Sequence, residues 1–359
     1  MVYHSNEPYN DLPLLPPSVA IETTHVLRRC ISASRALAEL KGAGNLLPNQ
    51  TILINAIPLQ EARLSSEIEN IVTTQDALYR AAMQQPGRVD PQTREVLFYR
   101  SALRFGYDML KERTIGIDLM IELCSKLRDM PVTLRDQESI LIEDVSANTV
   151  VYTPPRGREQ IVLLLRNLEE YLRQSDGVDP IIKMAVAHYQ FEAIHPFADG
   201  NGRTGRILNL LILLKAGLLD IPVLYLSRYI IQNKQEYYRR IRAVTEQHDW
   251  ERWLLFMLTA VEETARWTTG RIHAIRELLD ATIARCRTEI PSIYSKELIE
   301  LIFSQPYCRI AYIVDGGIVA RKAASRYLLE LERIGILTGE KRGREIIYKH
   351  QSLLEVLNT

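Results

Sequence analysis

The sequence lacks the features that mark several large classes of protein. Lys+Arg and Asp+Glu are equal at 44 each among 359 residues, so no net charge recruits nucleic acid or a membrane. The four cysteines are scattered without C-x-x-C spacing, which favours reduced thiols in a cytoplasm. No apolar run reaches transmembrane length, and the N-terminus has neither the basic region nor the apolar region of a signal peptide. We therefore expect a cytoplasmic protein with no membrane partner.

What is present is the pattern of a mostly helical chain. A hydrophobic fraction of 47% and a charged fraction of 25% are typical of a protein with two or three domains. Apolar residues spaced by three and four predict helices, and Pro13, Pro16, Pro17 and Pro58 are expected in the connections between them. The predicted helices cover residues 18–42, 65–85, 93–111, 115–128, 158–172, 181–193 and 250–287.

One stretch, HPFADGNGRTGR from His195 to Arg206, combines the groups that a reaction at phosphate needs. His195 carries a side chain that titrates near neutral pH and can accept a proton from an attacking hydroxyl. Asp199 is a hard oxygen ligand of the kind that Mg²⁺ prefers, and Mg²⁺ usually arrives with nucleotide phosphates. This spacing predicts a base and a metal ligand in one loop.

The second half of this stretch predicts an anion site. Gly200, Asn201 and Gly202 permit positive φ angles, and their backbone N–H groups can converge on an anion at the start of the apolar helix that follows. Arg203 and Arg206 are three apart on the first turn of that helix, so both can grip phosphate oxygens. Taken alone, a histidine before proline is more often a loop residue, and Gly-Asn-Gly is a common turn.

The complete stretch resembles the Fic family, whose motif HxFx[D/E]GNGRxxR it matches at every position. The resemblance implies transfer of AMP from ATP to a Ser, Thr or Tyr hydroxyl of a target protein, with release of pyrophosphate. By the same resemblance, His195 would be the general base and Asp199 would hold Mg²⁺ between the α- and β-phosphates.

The remaining motif residues would complete the ATP-binding set. The backbone of Gly200, Asn201 and Gly202 would cradle the β-phosphate, with Arg203, Thr204 and Gly205 beside it, and Arg206 would hold the γ-phosphate. Family branches that transfer the γ-phosphate or phosphocholine depart from this motif. The presence of Gly202 and Arg206 therefore favours AMP transfer.

A shorter pattern, [S/T]xxxE[G/N], occurs upstream at Ser65, Glu69 and Asn70. Alone it indicates a helix start with a capping serine and acidic residues in the first turn. In the Fic family this pattern marks an inhibitory helix that precedes the catalytic core. A Glu69 carboxylate paired with Arg206 would occupy the guanidinium that must hold the γ-phosphate, and Ser65, one turn earlier, would help to fix it.

Two further segments carry weaker expectations. Residues 140–142 and 149–152 flank a Ser-Ala-Asn turn and predict a hairpin, either the family's flap, which aligns a target side chain, or an ordinary surface hairpin. Residues 227–238 resemble the family segment that lines the adenine pocket; we choose Tyr238 for that role, although aromatic residues on a helix are more often core. Asn233 and Tyr237 are then structural neighbours.

One histidine before the motif, His188, could suggest a metal site. We do not interpret it as a metal ligand and expect a core or surface residue instead.

The last part of the chain predicts a separate module. Helices over 296–304, 309–314 and 320–334, a Gly-Gly turn at 316–317, strands at 336–338 and 346–348 and a basic turn at 341–344 resemble a winged helix-turn-helix. Such a module binds DNA, or it mediates dimerisation or target docking. We favour dimerisation or docking, because a chain with no net positive charge has no general electrostatic attraction for DNA.

Together these patterns predict a mostly α protein with a helical Fic core, a β-hairpin flap, an N-terminal helical subdomain and a C-terminal winged-helix module. We divide it at 1–111 (N-terminal subdomain), 112–262 (core), 263–290 (helical linker) and 291–359 (winged helix). Two functions remain: a self-inhibited adenylyltransferase that uses ATP and Mg²⁺, or a DNA-binding regulator that only senses nucleotide. The adenylyltransferase could also modify itself, form a homodimer, or remove AMP from a target with Glu69 orienting water.

Overall fold

The computed structural model describes residues 3–83, 89–136, 141–144, 149–342 and 345–358. Helices make up most of this part of the chain, with two small antiparallel sheets. The elements, in chain order, are α1 (Thr24–Gly44), α2 (Thr51–Ile68), α3 (Gln75–Ala81), α4 (Pro91–Met109), α5 (Ile117–Arg128), β1 (Ile142–Asp144), β2 (Thr149–Tyr152), α6 (Arg158–Arg173), α7 (Pro180–Ile194), α8 (Asn201–Lys215), α9 (Leu226–Gln232), α10 (Lys234–Gln247), α11 (Trp250–Glu289), α12 (Lys296–Ser304), β3 (Tyr307–Cys308), α13 (Ile310–Asp315), α14 (Arg321–Arg333), β4 (Thr338–Arg342), β5 (Glu345–Lys349) and α15 (Gln351–Asn358).

Helix α7 lies at the centre of the fold. Of its 15 residues, all but Pro180 and Glu192 are buried, which explains why its sequence is apolar on every side rather than on one stripe. Helix α8 packs against it and is likewise almost fully buried. The loop that joins α7 to α8 is the motif loop, so its geometry is fixed by two core helices.

The longest helix, α11, has 40 residues and packs along α1 over most of the length of α1. Thr23 caps α1 by accepting a hydrogen bond from the Val26 N–H, and a buried stripe that includes Leu37 and Leu40 faces its neighbours. Helix α11 continues without interruption across the predicted division between residues 262 and 263. The buried apolar residues of the N-terminal helices and of the second half of the chain belong to one hydrophobic core.

The predicted helix over 65–85 is wrong. Helix α2 ends at Ile68, and the separate helix α3 begins at Gln75 with Thr74 as its cap. The first part of α2, residues 51–64, was not predicted because Pro58 was expected in a connection between helices. Pro58 instead lies buried inside α2. Tertiary packing outweighs the hydrogen bond that proline cannot donate. The pattern at Ser65 consequently lies at a helix end, not at a helix start.

The predicted hairpin is confirmed as an antiparallel pair of β1 and β2, in which Asp144 pairs with Thr149; its turn at 146–148 lies outside the described residues. Tyr152 at the end of β2 donates from Oη to the Ala193 carbonyl at 2.8 Å. The N–H of Tyr9 donates to the Thr153 carbonyl at 3.0 Å, so an N-terminal segment runs beside the hairpin. These contacts place the hairpin next to the C-terminal end of α7.

The C-terminal elements follow the order helix, strand, helix, helix, strand, strand, which is the order expected for a winged helix-turn-helix. Their sheet has the strand order β3-β5-β4 and is antiparallel throughout. Strand β4 begins later than the predicted 336–338. Lys349 and Tyr307 bond to Asp76 of α3 at 2.9 and 2.6 Å, so the sheet is held against the N-terminal helices.

Among the described residues, no helix is both long enough and apolar enough to cross a bilayer.

Candidate active site

The motif loop begins and ends in left-handed backbone. His195 ends α7 with φ 50° and Gly200 precedes α8 with φ 88°. The Thr204 N–H closes the first α-helical hydrogen bond, to the Gly200 carbonyl at 2.9 Å, which leaves the N–H groups of residues 201–203 available at the helix N-terminus. The Asn201 side chain is committed elsewhere: it bonds the Phe197 N–H and C=O at 2.9 and 2.7 Å. Asn201 therefore shapes the loop and can meet a ligand only through its backbone.

The backbone at His195 is held by an arginine, Arg135, that the sequence did not predict. The Arg135 guanidinium donates to the carbonyls of His195 and Pro155, both at 2.6 Å, and to that of Ile194 at 3.0 Å. Burial and this nearby positive charge lower the pKa of His195 to about 4. Its Nδ1 has no hydrogen-bond partner among the residues described. His195 is consequently neutral at pH 7, the state in which an imidazole can accept a proton.

Arg206 is fully enclosed and is bound by the upstream pattern. Its Nε donates to Ser65 Oγ at 2.8 Å, and its Nη2 donates to the Ser65 carbonyl at 2.9 Å and to Glu69 Oε1 at 2.8 Å. The Arg206 side chain is 1% exposed, against 35% for Glu69. The two sequence patterns, more than a hundred residues apart, therefore meet at one guanidinium.

The Glu69 carboxylate stands directly over the start of α8. A Cβ at Gly202 would overlap Glu69 Oε1, so only glycine admits the carboxylate at this position. Burial alone would raise the pKa of Glu69, but Arg206 more than offsets it, and the net pKa lies below the ordinary value. Glu69 is thus a fixed negative charge at neutral pH, beside the N–H groups that would otherwise attract an anion.

The backbone conformation of Asn70 explains why the upstream pattern ends in glycine or asparagine. It adopts φ 62°, its N–H donates to the Glu67 carbonyl, and the Ile71 N–H donates to the Ser66 carbonyl, both at 3.0 Å. These paired bonds form a Schellman motif, whose left-handed position accepts glycine or asparagine. Lys234 Nζ also donates to the Ile68 carbonyl at 2.6 Å. The end of α2, and with it Glu69, is therefore locked.

Arg203 and Asp199 belong to a charged cluster on the other side of the loop. Arg203 Nη1 lies 3.0 Å from Glu95 Oε1 of α4, and its side chain is 2% exposed. Arg128 of α5 bonds the carboxylates of both Glu95 and Asp199. Glu95 and Arg128 were not predicted, because they lie on separate helices with no spacing that ties them to the motif.

The Asp199 side chain is 58% exposed, and no group of three metal-ligating side chains occurs in the described part of the chain. One accessible carboxylate at an anion-binding loop suits Mg²⁺, which uses one or two protein carboxylates and takes its other ligands from phosphates and water. The residues therefore fit a metal that arrives with a nucleotide.

Thr204 and Gly205 face the core rather than Glu69. Thr204 is fully buried, and a Cβ at Gly205 would lie 2.5 Å from Glu192 Oε1 and 3.2 Å from Phe191. Their contribution is the close approach of α7 to α8. Glu192 itself was missed: its Oε1 is buried with no partner among the described residues, and burial raises its pKa to about 7. Its position three residues before His195, on the same helix, was the available signal.

The aromatic residues beyond the motif divide into core and rim. His188 bonds the Tyr237 hydroxyl at 2.9 Å and stacks on Trp253, and burial lowers its pKa to about 3, so of the two expected roles, core and surface, it has the core one. Tyr238 is 40% exposed, and its pKa is raised by burial and by the Glu69 charge. The structure thus brings Tyr238 near Glu69 and keeps Tyr237 inside.

This arrangement defines a class of site: a helix N-terminus with unpaired backbone N–H groups, a neutral histidine beside it, and a glutamate carboxylate that lies over it. Family models match residues 27–108 (Fic/DOC family N-terminal), 116–213 (Fic/DOC family) and 278–353 (protein adenylyltransferase SoFic-like, C-terminal domain). The chain belongs to the Fic/DOC family.

Curated relatives match parts of the chain. It is 30% identical over 172 residues to the protein adenylyltransferase Fic of Drosophila grimshawi, covering 43% of this chain and 34% of that one. It is 43% identical over 67 residues to a probable protein adenylyltransferase of Aquifex aeolicus, covering 19% and 21%. The chain thus spans about a third or less of these relatives.

Solved structures share the fold. A Fic family protein from Desulfovibrio desulfuricans superposes with a TM-score of 0.58 at 20% identity, over 93% of this chain and 98% of that one. Fic-1 (residues 134–508) of C. elegans gives 0.52 at 22% identity, over 69% and 74%.

The left-handed position of Asn70 leads to a stability prediction. Asn70→Ala should lower the free energy of unfolding by about 1 kcal/mol, because alanine lacks the short polar side chain that lets asparagine adopt this left-handed backbone. Asn70→Gly should change it by less than about 0.5 kcal/mol. Urea denaturation of the two variants measures the difference. Equal losses would contradict the Schellman assignment.

The raised pKa of Glu192 leads to a pH prediction. The folded protein holds a proton on Glu192 up to about pH 7, whereas the unfolded chain releases it near the ordinary glutamate pKa of 4.5, so this residue costs stability as pH rises between these values. Glu192→Gln cannot ionise. Its unfolding free energy relative to wild type should therefore increase between pH 5 and pH 8, by on the order of 2 kcal/mol. A constant difference across this range would show that Glu192 is not held neutral.

Proposed function

We propose that this protein is a self-inhibited protein adenylyltransferase, which transfers AMP from ATP to a Ser, Thr or Tyr hydroxyl of a target protein. The observation that carries the proposal is the three-bond contact of Arg206 with Ser65 and Glu69, beside a neutral His195 and a free helix N-terminus. The relatives named above as protein adenylyltransferases support the choice of reaction.

In this mechanism the target hydroxyl attacks the α-phosphorus of ATP. His195 takes the hydroxyl proton as the new oxygen–phosphorus bond forms, and the bond to the β-phosphate breaks, so pyrophosphate leaves. Because His195 is neutral before the reaction, it is in the receptive state. Arg135 holds the backbone carbonyl of His195 and so fixes the direction of the ring.

The phosphate chain would be held by the start of α8. The N–H groups of residues 201–203 and the helix dipole attract the β-phosphate, Arg203 assists, and Arg206 takes the γ-phosphate. Asp199 would hold Mg²⁺, which supplies positive charge to the phosphates. Tyr238, half exposed beside Glu69, is the residue we propose for the adenine.

Inhibition follows from the charge of Glu69. Its carboxylate binds the guanidinium that the γ-phosphate needs and repels a phosphate from the same space. ATP that binds without this anchor has its α-phosphate misplaced for in-line attack. The same carboxylate could orient a water for removal of AMP, which is the variant of this function that we retain.

The hairpin of β1 and β2 is the proposed flap that aligns the target, since Tyr152 ties it to α7 two residues before His195. We further propose a cytoplasmic location, self-modification and a homodimer that stabilises α2.

Removal of Glu69 tests the inhibited state. Glu69→Gly should raise AMP incorporation at least about tenfold, which corresponds to about 1.4 kcal/mol of relieved inhibition. His195→Ala should lower it by about 10²–10⁴-fold. Intact-protein mass spectrometry after incubation with ATP and Mg²⁺ detects the added AMP on the protein or on a target.

Glu67→Gly is the matched control, because Glu67 lies two residues earlier on α2 and pairs with Arg63 instead of Arg206. It should leave incorporation at the wild-type level. Equal AMP incorporation by wild type and Glu69→Gly would contradict the inhibitory role of Glu69.

A second candidate, DNA binding by the C-terminal module, is favoured by one observation. Arg321, Lys322 and Arg326 are exposed on α14, the longer helix of the module, and form no ion pair with any described residue. A recognition helix carries such residues toward phosphate and base edges. The alternative is that this surface docks a target or a second copy.

Titration of a labelled duplex at two salt concentrations distinguishes these roles. If the module binds DNA, the affinity should fall as salt rises, with a slope that decreases when Arg321→Ala removes one phosphate contact. Absence of binding at low salt would remove the DNA role and leave docking.

A further inference from the structure

A cavity between the N-terminal helices and the C-terminal module lies outside the motif loop. We propose that it is a second ligand-binding site, which takes a small molecule with an anionic group and an aromatic body. Its volume is about 590 Å³, within the range of about 300–1,000 Å³ in which small molecules are bound. Its walls come from α2, α3, α4 and residues 304–307.

The cationic end of the site is Arg100 of α4. Arg100 lines the cavity, and burial lowers its pKa below the ordinary value. No ion pair or hydrogen bond of Arg100 occurs within the described ranges of the chain. Arg104, one turn further along the same wall, differs: its Nε lies 2.8 Å from Asp108. The cavity thus contains one guanidinium that is partly desolvated and uncompensated, which an anion would satisfy.

The aromatic end of the site joins the N-terminal helices to the C-terminal module. Tyr79 and Tyr307 stack with ring centroids 5.3 Å apart and planes inclined by 6°, and Phe105 and Tyr312 also line the cavity. Burial raises the pKa of Tyr79 to about 12, so its hydroxyl stays neutral and adds no negative charge. Tyr79 and Tyr307 are buried against each other, whereas Phe105 and Tyr312 are partly exposed, and their ring faces favour a planar ring over an aliphatic chain.

The site is separate from the motif loop but shares a helix with it. Pro58 and Leu59 of α2 line the cavity, whereas Ser65 and Glu69 at the end of α2 contact Arg206. Seven residues of helix separate Pro58 from Ser65, a distance of about 10 Å. A ligand here would therefore lie against the same helix that closes the motif loop, without touching the loop.

The test uses 1-naphthalenesulfonate, which carries the anion and the ring, and 1-naphthalenemethanol, which carries the ring alone. Isothermal titration of the full chain should show saturable 1:1 binding of the sulfonate. Arg100→Gln should weaken the affinity for the sulfonate about tenfold, the factor for one charge-assisted contact of about 1.4 kcal/mol. It should leave the affinity for the alcohol unchanged. Arg94→Gln, on the exposed face of α4, is the matched control and should bind the sulfonate as wild type does.

Two results would overturn the proposal: no saturable binding to wild type, or equal sulfonate affinity of wild type and Arg100→Gln. Displacement of the sulfonate by saturating ATP would also overturn it, because the probe would then occupy the motif loop. Unchanged sulfonate binding by His195→Ala is expected, so the outcome does not depend on the adenylyltransferase activity. Thermal unfolding of Arg100→Gln at the wild-type temperature excludes misfolding as the cause of weaker binding.

Discussion

The contact of Arg206 with Ser65 and Glu69 is the interaction on which the site depends. It joins the second turn of α8 to the last turn of α2 through three hydrogen bonds from one enclosed guanidinium. A buried arginine needs an anion, and two sources suit this position: the carboxylate of Glu69 or a phosphate of a bound nucleotide. The two therefore exclude each other, and in the inhibited state that we propose the protein supplies the anion itself.

The contacts of α2 with neighbouring helices hold that carboxylate in place. Glu61, two turns before Glu69, accepts hydrogen bonds from the Ser227 N–H at 3.1 Å and the Tyr99 hydroxyl at 3.3 Å, which anchors α2 to α9 and α4. Asn70 and Lys234 then fix the helix end. Glu69 thus projects from a rigid element, so its release requires movement of the end of α2 or of the elements around it.

The sequence predicted the parts of the site that lie close together along the chain. The motif from His195 to Arg206 forms one loop between two core helices, and its glycines occupy the positions where left-handed backbone or close contact requires them. The upstream pattern met Arg206 as expected, but on the last turn of a helix whose start was missed, because Pro58 suggested a break. The local rule for proline failed where burial of the surrounding α2 residues compensated for the lost hydrogen bond.

The supporting residues could not be predicted, since they come from separate helices and loops. Arg135, Glu95 and Lys234 reach the site only through tertiary packing, and nothing in their own neighbourhoods marks them. Glu192 differs from these residues, because its place on α7 was evident from the sequence. The burial of its Oε1 without a partner depends on how closely Gly205 lets α8 approach.

The central claim is that Glu69 and the γ-phosphate compete for Arg206, and a comparison of ATP with ADP tests it most directly. Calorimetric titrations of wild type and Glu69→Gly with both nucleotides give the ratio of the two affinities, which isolates the γ-phosphate. The account predicts a ratio near one for wild type and a preference for ATP of at least about tenfold for Glu69→Gly. The same ratio in both proteins would contradict it.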